Sequence, residues 1–507
     1  MSLSDELCRS YLDLKWHFDP AGGALAGVPG TSGRLGHFDV ASLRAHVAAF
    51  RAIEAGIEEL EVEDSADELD RTALLDDVRV TLFRLQHERP NERNPAFWLK
   101  HLCDALWALR RATGPADRVA LDCLTEVPRF LSDARATLSQ PPAAFIDAAR
   151  ALTGPAAALL SGLAATEGGG EPAQAAAAAE AALARFQLLL DTELSAHADE
   201  HAFATGPEHF DRLLHHEHAI IAGAPELWRA ILRLEEEQEG ELRDLADQLG
   251  RGGDWRAALL ERQQAFAPAD IMEFLTHGMK QRREAADRAG LLLVPELPLF
   301  ERMPEHAAQF EPLASYRPPS HAGPATIFVS DRPAVRMAMP ALLTELAGPG
   351  MQVQGIRAAT LPSEVRRAIS ENSGWGLYAI ELLEQAGGWP DLDTRLIIRA
   401  HVLYRVLLAR LDIGLHTRQI GLAEAVTSLT ERLPLQPFEA LAAVRGILLE
   451  PTRAAGTIAG RRELLRLRDD RMEKEGAAFS PRRHHEEVLH FGGLPVPLIR
   501  WGLGLEA

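Results

Sequence analysis

Val40-Ala-Ser-Leu-Arg-Ala-His-Val-Ala-Ala-Phe-Arg-Ala-Ile-Glu-Ala-Gly-Ile-Glu-Glu-Leu60 sets apolar side chains at Leu43, Val47, Phe50, Ile53, Ile57 and Leu60. Steps of four and three residues bring all six onto one face of a 3.6-residue helix, the signature of an amphipathic helix against a core. Downstream, Ser65-Ala-Asp-Glu68 has the spacing of a capping box ahead of a second stripe at Leu75, Val78, Leu82 and Leu85. Two antiparallel helices follow. The prolines of Arg89-Pro-Asn-Glu-Arg-Asn-Pro95 break the period, since proline lacks a donor and restricts the residue before it, and Ala96 to Arg111 resumes it. Helical segments alternate with breakers from Asp117 to Leu249. The alanine run Ala173–Ala184 carries intrinsic helix propensity alone, and Glu235-Glu-Glu-Gln-Glu239 reads as the solvated face of a helix. The expectation is a mainly α protein.

Composition shifts near Gly290. Leu291-Leu-Leu-Val294 and Thr326-Ile-Phe-Val-Ser330 are short apolar runs bounded by Pro and Gly, which read as strands, and helical stripes return from Glu364 through Leu396–Leu411 and Leu422–Leu449. This divides the chain into a helical region, 1–290, and a region with a small sheet and C-terminal helices, 291–507, either as two parts or as one continuous domain.

Of 507 residues, 47% are hydrophobic and 25% charged, enough for a large core, and aromatics at 6% suit a core of Leu and Ala. The net charge of −20 repels phosphate backbones and anionic leaflets, which disfavours nucleic-acid and membrane partners. The start Met1-Ser-Leu-Ser-Asp-Glu-Leu7 has no basic stretch followed by an apolar one, and the apolar windows downstream are alanine-rich, so a cytoplasmic location is expected. Cys8, Cys103 and Cys123 show no metal or disulfide spacing and read as small buried apolar residues.

Several histidines cluster. His197 and His201, four apart, would share one face if the segment is helical, with His215, His216 and His218 close behind and His484, His485 and His490 near the end. None completes a site by itself, because a histidine pair needs a third ligand and supporting hydrogen bonds. The chain has no His-Glu-x-x-His, no phosphate-binding loop and no Gly-x-Ser-x-Gly.

Blocks in a fixed order nonetheless form a pattern: Ser32-Gly-Arg-Leu-Gly-His-Phe-Asp-Val40, Asp67-Glu-Leu-Asp-Arg-Thr72, His87-Glu-Arg-Pro90 with Arg93-Asn-Pro-Ala-Phe-Trp98, Ala314-Ser-Tyr-Arg-Pro-Pro319, Gly374-Trp-Gly-Leu-Tyr378, Asp412-Ile-Gly-Leu-His416 and Gly492-Gly-Leu-Pro495. Together, across nearly the whole chain, they resemble the bacterial family called domain of unknown function 885. That family is similar to zinc carboxypeptidases of the zincin type. The resemblance implies an elongated, mainly helical body around a long cleft, a small sheet in the C-terminal half, and a zinc held by a His-Glu-x-x-Pro-Gly-His-x-x-Gln motif and a later Glu.

At the matching stretch, Thr344-Glu-Leu-Ala-Gly-Pro-Gly-Met-Gln-Val-Gln354, one extra residue separates Glu345 from Pro349. Either Thr344 and Glu345 or Glu345 and Leu346 stand for His-Glu, and both registers break the motif. Met351 or Gln352 takes the second histidine position and Ser373 that of the ligand Glu, so the ligands are missing and no metal or other cofactor is expected. The family segment Pro-Gly-Gln-Ala-x-x-Tyr-Lys-x-Gly reads Pro451-Thr-Arg-Ala-Ala-Gly-Thr-Ile-Ala-Gly460, with Thr457 and Ile458 for the Tyr and Lys that would stabilise a reacting carbonyl. Trp375, Tyr378, Arg405, Asp412, His416 and His485 are retained and on family grounds would line or brace the cleft. The expectation is a metallopeptidase-like protein that binds a peptide-like or small-molecule ligand without zinc-dependent cleavage. The alternative is a metal-independent enzyme acting on a small amide- or peptide-like substrate. Candidate catalytic groups are Glu345, His416 and His485, with Tyr378, Arg405, Asp412 and Arg453 as cleft or ligand-binding groups.

Overall fold

The computed structural model describes residues 3–505 apart from 63, 112–116, 165–169, 195, 266–270, 293–297, 321–322, 370–373 and 390. It is 74% helix and 3% strand. The 40–60 stripe forms the Val40–Glu58 helix, burying Leu43, Phe50 and Ile57, and Asp39 caps its N-terminus by accepting from the Ala41 and Ser42 amides. The next helix, Ser65–Phe83, begins one residue earlier than the capping box implies: the Asp64 carboxylate accepts from the Ala66 and Asp67 amides, so Ser65 is the first helical residue. A carboxylate is the stronger acceptor at the positive end of the helix.

Three short strands make one sheet: β1 (Leu299–Arg302), β2 (Ala314–Arg317) and β3 (Thr326–Val329). The order is β1-β3-β2, with β3 parallel to β1 and antiparallel to β2. The apolar run at 326–330 is therefore the central strand, buried along its length. At the other run, Leu291 and Leu292 are not in a strand, and positions 293–294 lie outside the described residues.

Among the described residues two large hydrophobic cores result, beside two small clusters around Phe83 and Met303. One joins the helices between positions 95 and 190, around Trp98, Leu102, Phe130 and Leu160. The larger draws on both sides of position 290, from Cys8, Phe50 and Phe210 to Met339, Trp375 and Leu407. Its axis is the Leu392–His416 helix, which packs against Ala224–Gln248, Arg453–Glu475, Pro333–Glu345 and Pro437–Leu449. A helix this widely apolar is stable only when its neighbours enclose it, and its arginines remain half-buried. Ala143–Leu163 is long and apolar enough, by length and composition, to cross a membrane, and is 50% buried against its neighbours.

The acidic stretch departs from its reading as a solvated face. Glu235 is 6% exposed and pairs with Arg410 at 2.9 Å and with Arg432, while Glu236 and Glu237 face outward. All three cysteines are free and buried. His197 and His201 lie in coil and turn, so the four-residue spacing does not stack them on a helix face.

Candidate functional site

The Thr344–Gln354 stretch is a tight corner. The Pro333–Glu345 helix ends there, Gly348–Pro349 is a cis peptide, and the Met351–Ala359 helix begins at once. A Cβ on Gly350 would stand 2.0 Å from the Glu345 carbonyl oxygen and 2.3 Å from that of Thr344, so only glycine permits the turn. The Trp375 indole donates to the Pro349 carbonyl at 3.0 Å and pins the corner to the Trp375–Gln385 helix. On that helix Gly376 leaves the room into which Glu345 and Met351 pack.

Glu345, at the end of its helix, points into the larger core and is 2% exposed. Two residues one turn apart on the Leu392–His416 helix meet it, as the i, i+4 relation requires. His401 Nε2 lies 2.5 Å from Oε2, and Arg405 Nε lies 3.0 Å from Oε1 with Nη2 donating to Oε2 at 3.2 Å. Burial alone would raise the Glu345 carboxyl, but the Arg405 charge and His401 outweigh it and lower the group to about 2. Burial lowers the His401 imidazole against the pull of Glu345. His401 Nδ1 and the Tyr404 hydroxyl are buried beside this pair and have no hydrogen-bond partner among the described residues.

Charged groups continue outward from Arg405. Glu311 is within electrostatic reach of Arg405 and Arg453, and Glu450 of Arg453, Lys100 and Arg84. Burial opposes the charge of Glu311, Glu450 and Lys100, although 44% of the Glu450 side chain and 40% of that of Lys100 stay accessible. Arg453 is exposed and paired with Glu450. His401, Tyr404 and Glu311 are absent from the reading of the sequence; the His401-x-x-x-Arg405 spacing could have placed His401 on the face of Arg405, and nothing in the sequence marks Tyr404 or Glu311.

The other sequence candidates are buried braces. Asp412, fully buried, accepts from the Thr452 amide at 3.1 Å and the Ala455 amide at 3.0 Å, tying down the first turn of the Arg453–Glu475 helix, and burial raises its carboxyl to about 7. Thr452 stands at the family's glycine position with a left-handed φ of 73°, held by its hydroxyl donating to Glu217 at 2.8 Å. His416 Nε2 meets the Ile447 carbonyl at 3.1 Å and Nδ1 meets Thr205, and burial lowers the imidazole to about 4. His485 is clamped between the Leu291 carbonyl at 2.9 Å and the Tyr378 hydroxyl at 3.1 Å, also lowered to about 4 by burial. His416, His485 and Tyr378 have no open face.

The zinc that the resemblance implies does not fit this corner. The Thr344 hydroxyl donates to the Pro340 carbonyl at 3.2 Å, Met351 packs against the larger core, Gln352 is buried, and Ser373 lies outside the described residues. The one carboxylate, Glu345, is already engaged by a guanidinium that repels a dication. Thr457, in the family's tyrosine position, turns its hydroxyl back onto the Arg453 carbonyl at 2.9 Å, and Ile458 is buried in the core. Among the described residues no group of three or more His, Cys, Asp or Glu is placed to hold a metal ion.

The model of the family described as bacterial protein of unknown function (DUF885) matches residues 20–502. No curated protein matches the chain. Among solved structures, the chain is similar to "a putative lipoprotein of unknown function" from Shewanella oneidensis, with a TM-score of 0.79 at 17% identity over 99% of this chain and 100% of that one. It is also similar to "the putative lipoprotein" from Colwellia psychrerythraea, with a TM-score of 0.81 at 14% identity over 99% of each chain. At these identities the likeness is one of fold.

Proposed function

The chain belongs to the bacterial DUF885 family, and from that premise we propose that it is a metallopeptidase-like, non-peptidase member that binds a peptide-like or small-molecule ligand in its cleft. The observation that carries this reading is the Glu345–Arg405–His401 cluster. The carboxylate best placed to serve as a base spends its oxygens on a guanidinium and an imidazole, and at about 2 it holds a proton too weakly to take one from a water near neutral pH. The same fact disfavours the metal-independent enzyme. The mixed charges of Glu311, Arg405, Arg453, Glu450 and Lys100 suit a ligand that carries both signs, as peptide termini do, and the net charge of −20 speaks against nucleic acid.

The test is elemental mass spectrometry of tag-free protein, with and without added zinc, alongside peptide hydrolysis. The expected outcome is no dialysis-resistant metal and no hydrolysis sensitive to chelator. One tightly held zinc per chain, or chelator-sensitive cleavage, overturns the reading.

The lipoprotein description of the two structural neighbours points to a membrane-anchored location for them. For this chain the proposal remains cytoplasmic, supported by the net charge of −20, which is repelled by anionic leaflets. Cell fractionation decides: recovery in the soluble cytoplasmic fraction is expected, and recovery with membranes after a high-salt wash reverses the assignment.

A further inference from the structure

A groove of about 670 Å³ opens between the Pro95–Arg111 and Ala143–Ala164 helices and the end of β1. Its volume falls within the roughly 300–1,000 Å³ of small-molecule sites. The floor is apolar: the Trp107 ring, Leu159 and Met303, the last two buried. Beside Leu159, the Ala143–Ala164 helix contributes the small side chains of Gly154, Pro155 and Ala158, which leave the groove open.

Its cations differ in how far they are committed. Arg111 forms a bidentate pair with Glu301 and stacks 5.0 Å from Trp107 and 5.4 Å from Phe328, so it is part of the wall. Arg302 pairs with Asp331 at 2.7 Å, but the side chains are 78% and 63% exposed, a pair that water screens. His306 is turned to Asp104 at 3.1 Å, and Glu305 lies 3.8 Å from Arg332. Arg110 is different. It reaches along the small-residue helix to 3.2 Å from the place a Cβ on Gly162 would occupy, and among the described residues it has neither an ion pair nor a hydrogen bond. A guanidinium without a partner among the described residues, beside an aromatic and aliphatic floor, is complementary to an anionic head on an apolar tail, and this local charge acts against the repulsion from a chain of net charge −20.

We propose that this groove binds a soluble monocarboxylic acid with an aliphatic tail, its carboxylate on Arg110 and its tail along Trp107, Leu159 and Met303. The site shares no lining residue with the Glu345 cluster and does not depend on the reading of the cleft.

Decanoate below its micelle concentration, followed by isothermal titration calorimetry, tests it, with decanol and acetate as probes that carry only the tail or only the charge. One saturable site for decanoate is expected, with decanol at least about tenfold weaker and acetate undetectable, as one charge-assisted hydrogen bond implies. Arg110→Gln should weaken decanoate about tenfold. Gly154→Leu should abolish binding while raising the unfolding temperature, because a Cβ at Gly154 meets nothing within 4 Å and leucine favours a helix more than glycine does. No saturable binding, equal affinity for decanol, or decanoate binding unchanged in both variants overturns the proposal.

Discussion

Arg405 carries a charge to a place where only 16% of its side chain meets solvent, and its partner Glu345 has 3%. Removing one member strands the other. Arg405→Leu is expected to cost about 3 kcal/mol, whereas Arg405→Leu with Glu345→Leu recovers most of that loss, because a buried pair exchanged for apolar groups is close to neutral. Urea denaturation measures both, and a single variant that loses less than about 1 kcal/mol contradicts the pairing. His485 gives a pH dependence. Its imidazole has an ordinary value of 6.5 and stands at about 4 when folded, so between these values the unfolded chain binds the extra proton and stability is lost as the pH falls. The advantage of wild type over His485→Gln should therefore be largest above pH 6.5 and shrink by on the order of 3 kcal/mol towards pH 4. A gap constant with pH contradicts the clamp between Leu291 and Tyr378. At this scale Glu345 was legible through the broken motif around it. His401 was not: it sits in an apolar run, Ile397 to Leu408, where periodicity reports burial, and only the fold brings Glu345 against it.

Helices were legible wherever one face is apolar and the other charged, as at Val40–Glu58. The Leu392–His416 helix, buried all round, showed its length in the sequence but not its neighbours. Its spacing sets the site: His401 and Arg405 hold Glu345, while Asp412 and His416, about ten to seventeen ångströms further along at 1.5 Å per residue, brace the Arg453–Glu475 helix and the Ile447 carbonyl. Spacing misled where local order was assumed, since His197 and His201 lie in coil and turn and the carboxylate of Asp64 took the cap from Ser65. Two glycines separate the roles an element can give that residue. A Cβ on Gly374, whose φ is +78°, would stand 2.2 Å from the Arg461 amide nitrogen, whereas one on Gly240, inside Ala224–Gln248, meets nothing within 4 Å. Gly374→Ala is expected to lower stability by about 3 kcal/mol or more and Gly240→Ala to raise it by about 1 kcal/mol. Thermal unfolding of the two variants checks this, and shifts of the same sign refute it.

For the whole molecule, composition predicted a helical, acidic protein, and the order of short motifs identified the family that the match over residues 20–502 establishes. What composition could not give is that the larger core joins residues from Cys8 to Ile499, so the segments before and after position 290 share one interior. Such contacts join positions hundreds of residues apart and leave no periodic trace. The positive charge beside Glu345 is part of the polypeptide itself. A metal arrives after folding and leaves at its own rate, but a guanidinium belonging to the chain has no dissociation constant. The charge at this corner is assembled whenever the polypeptide folds, cannot be starved or chelated away, and changes only by mutation.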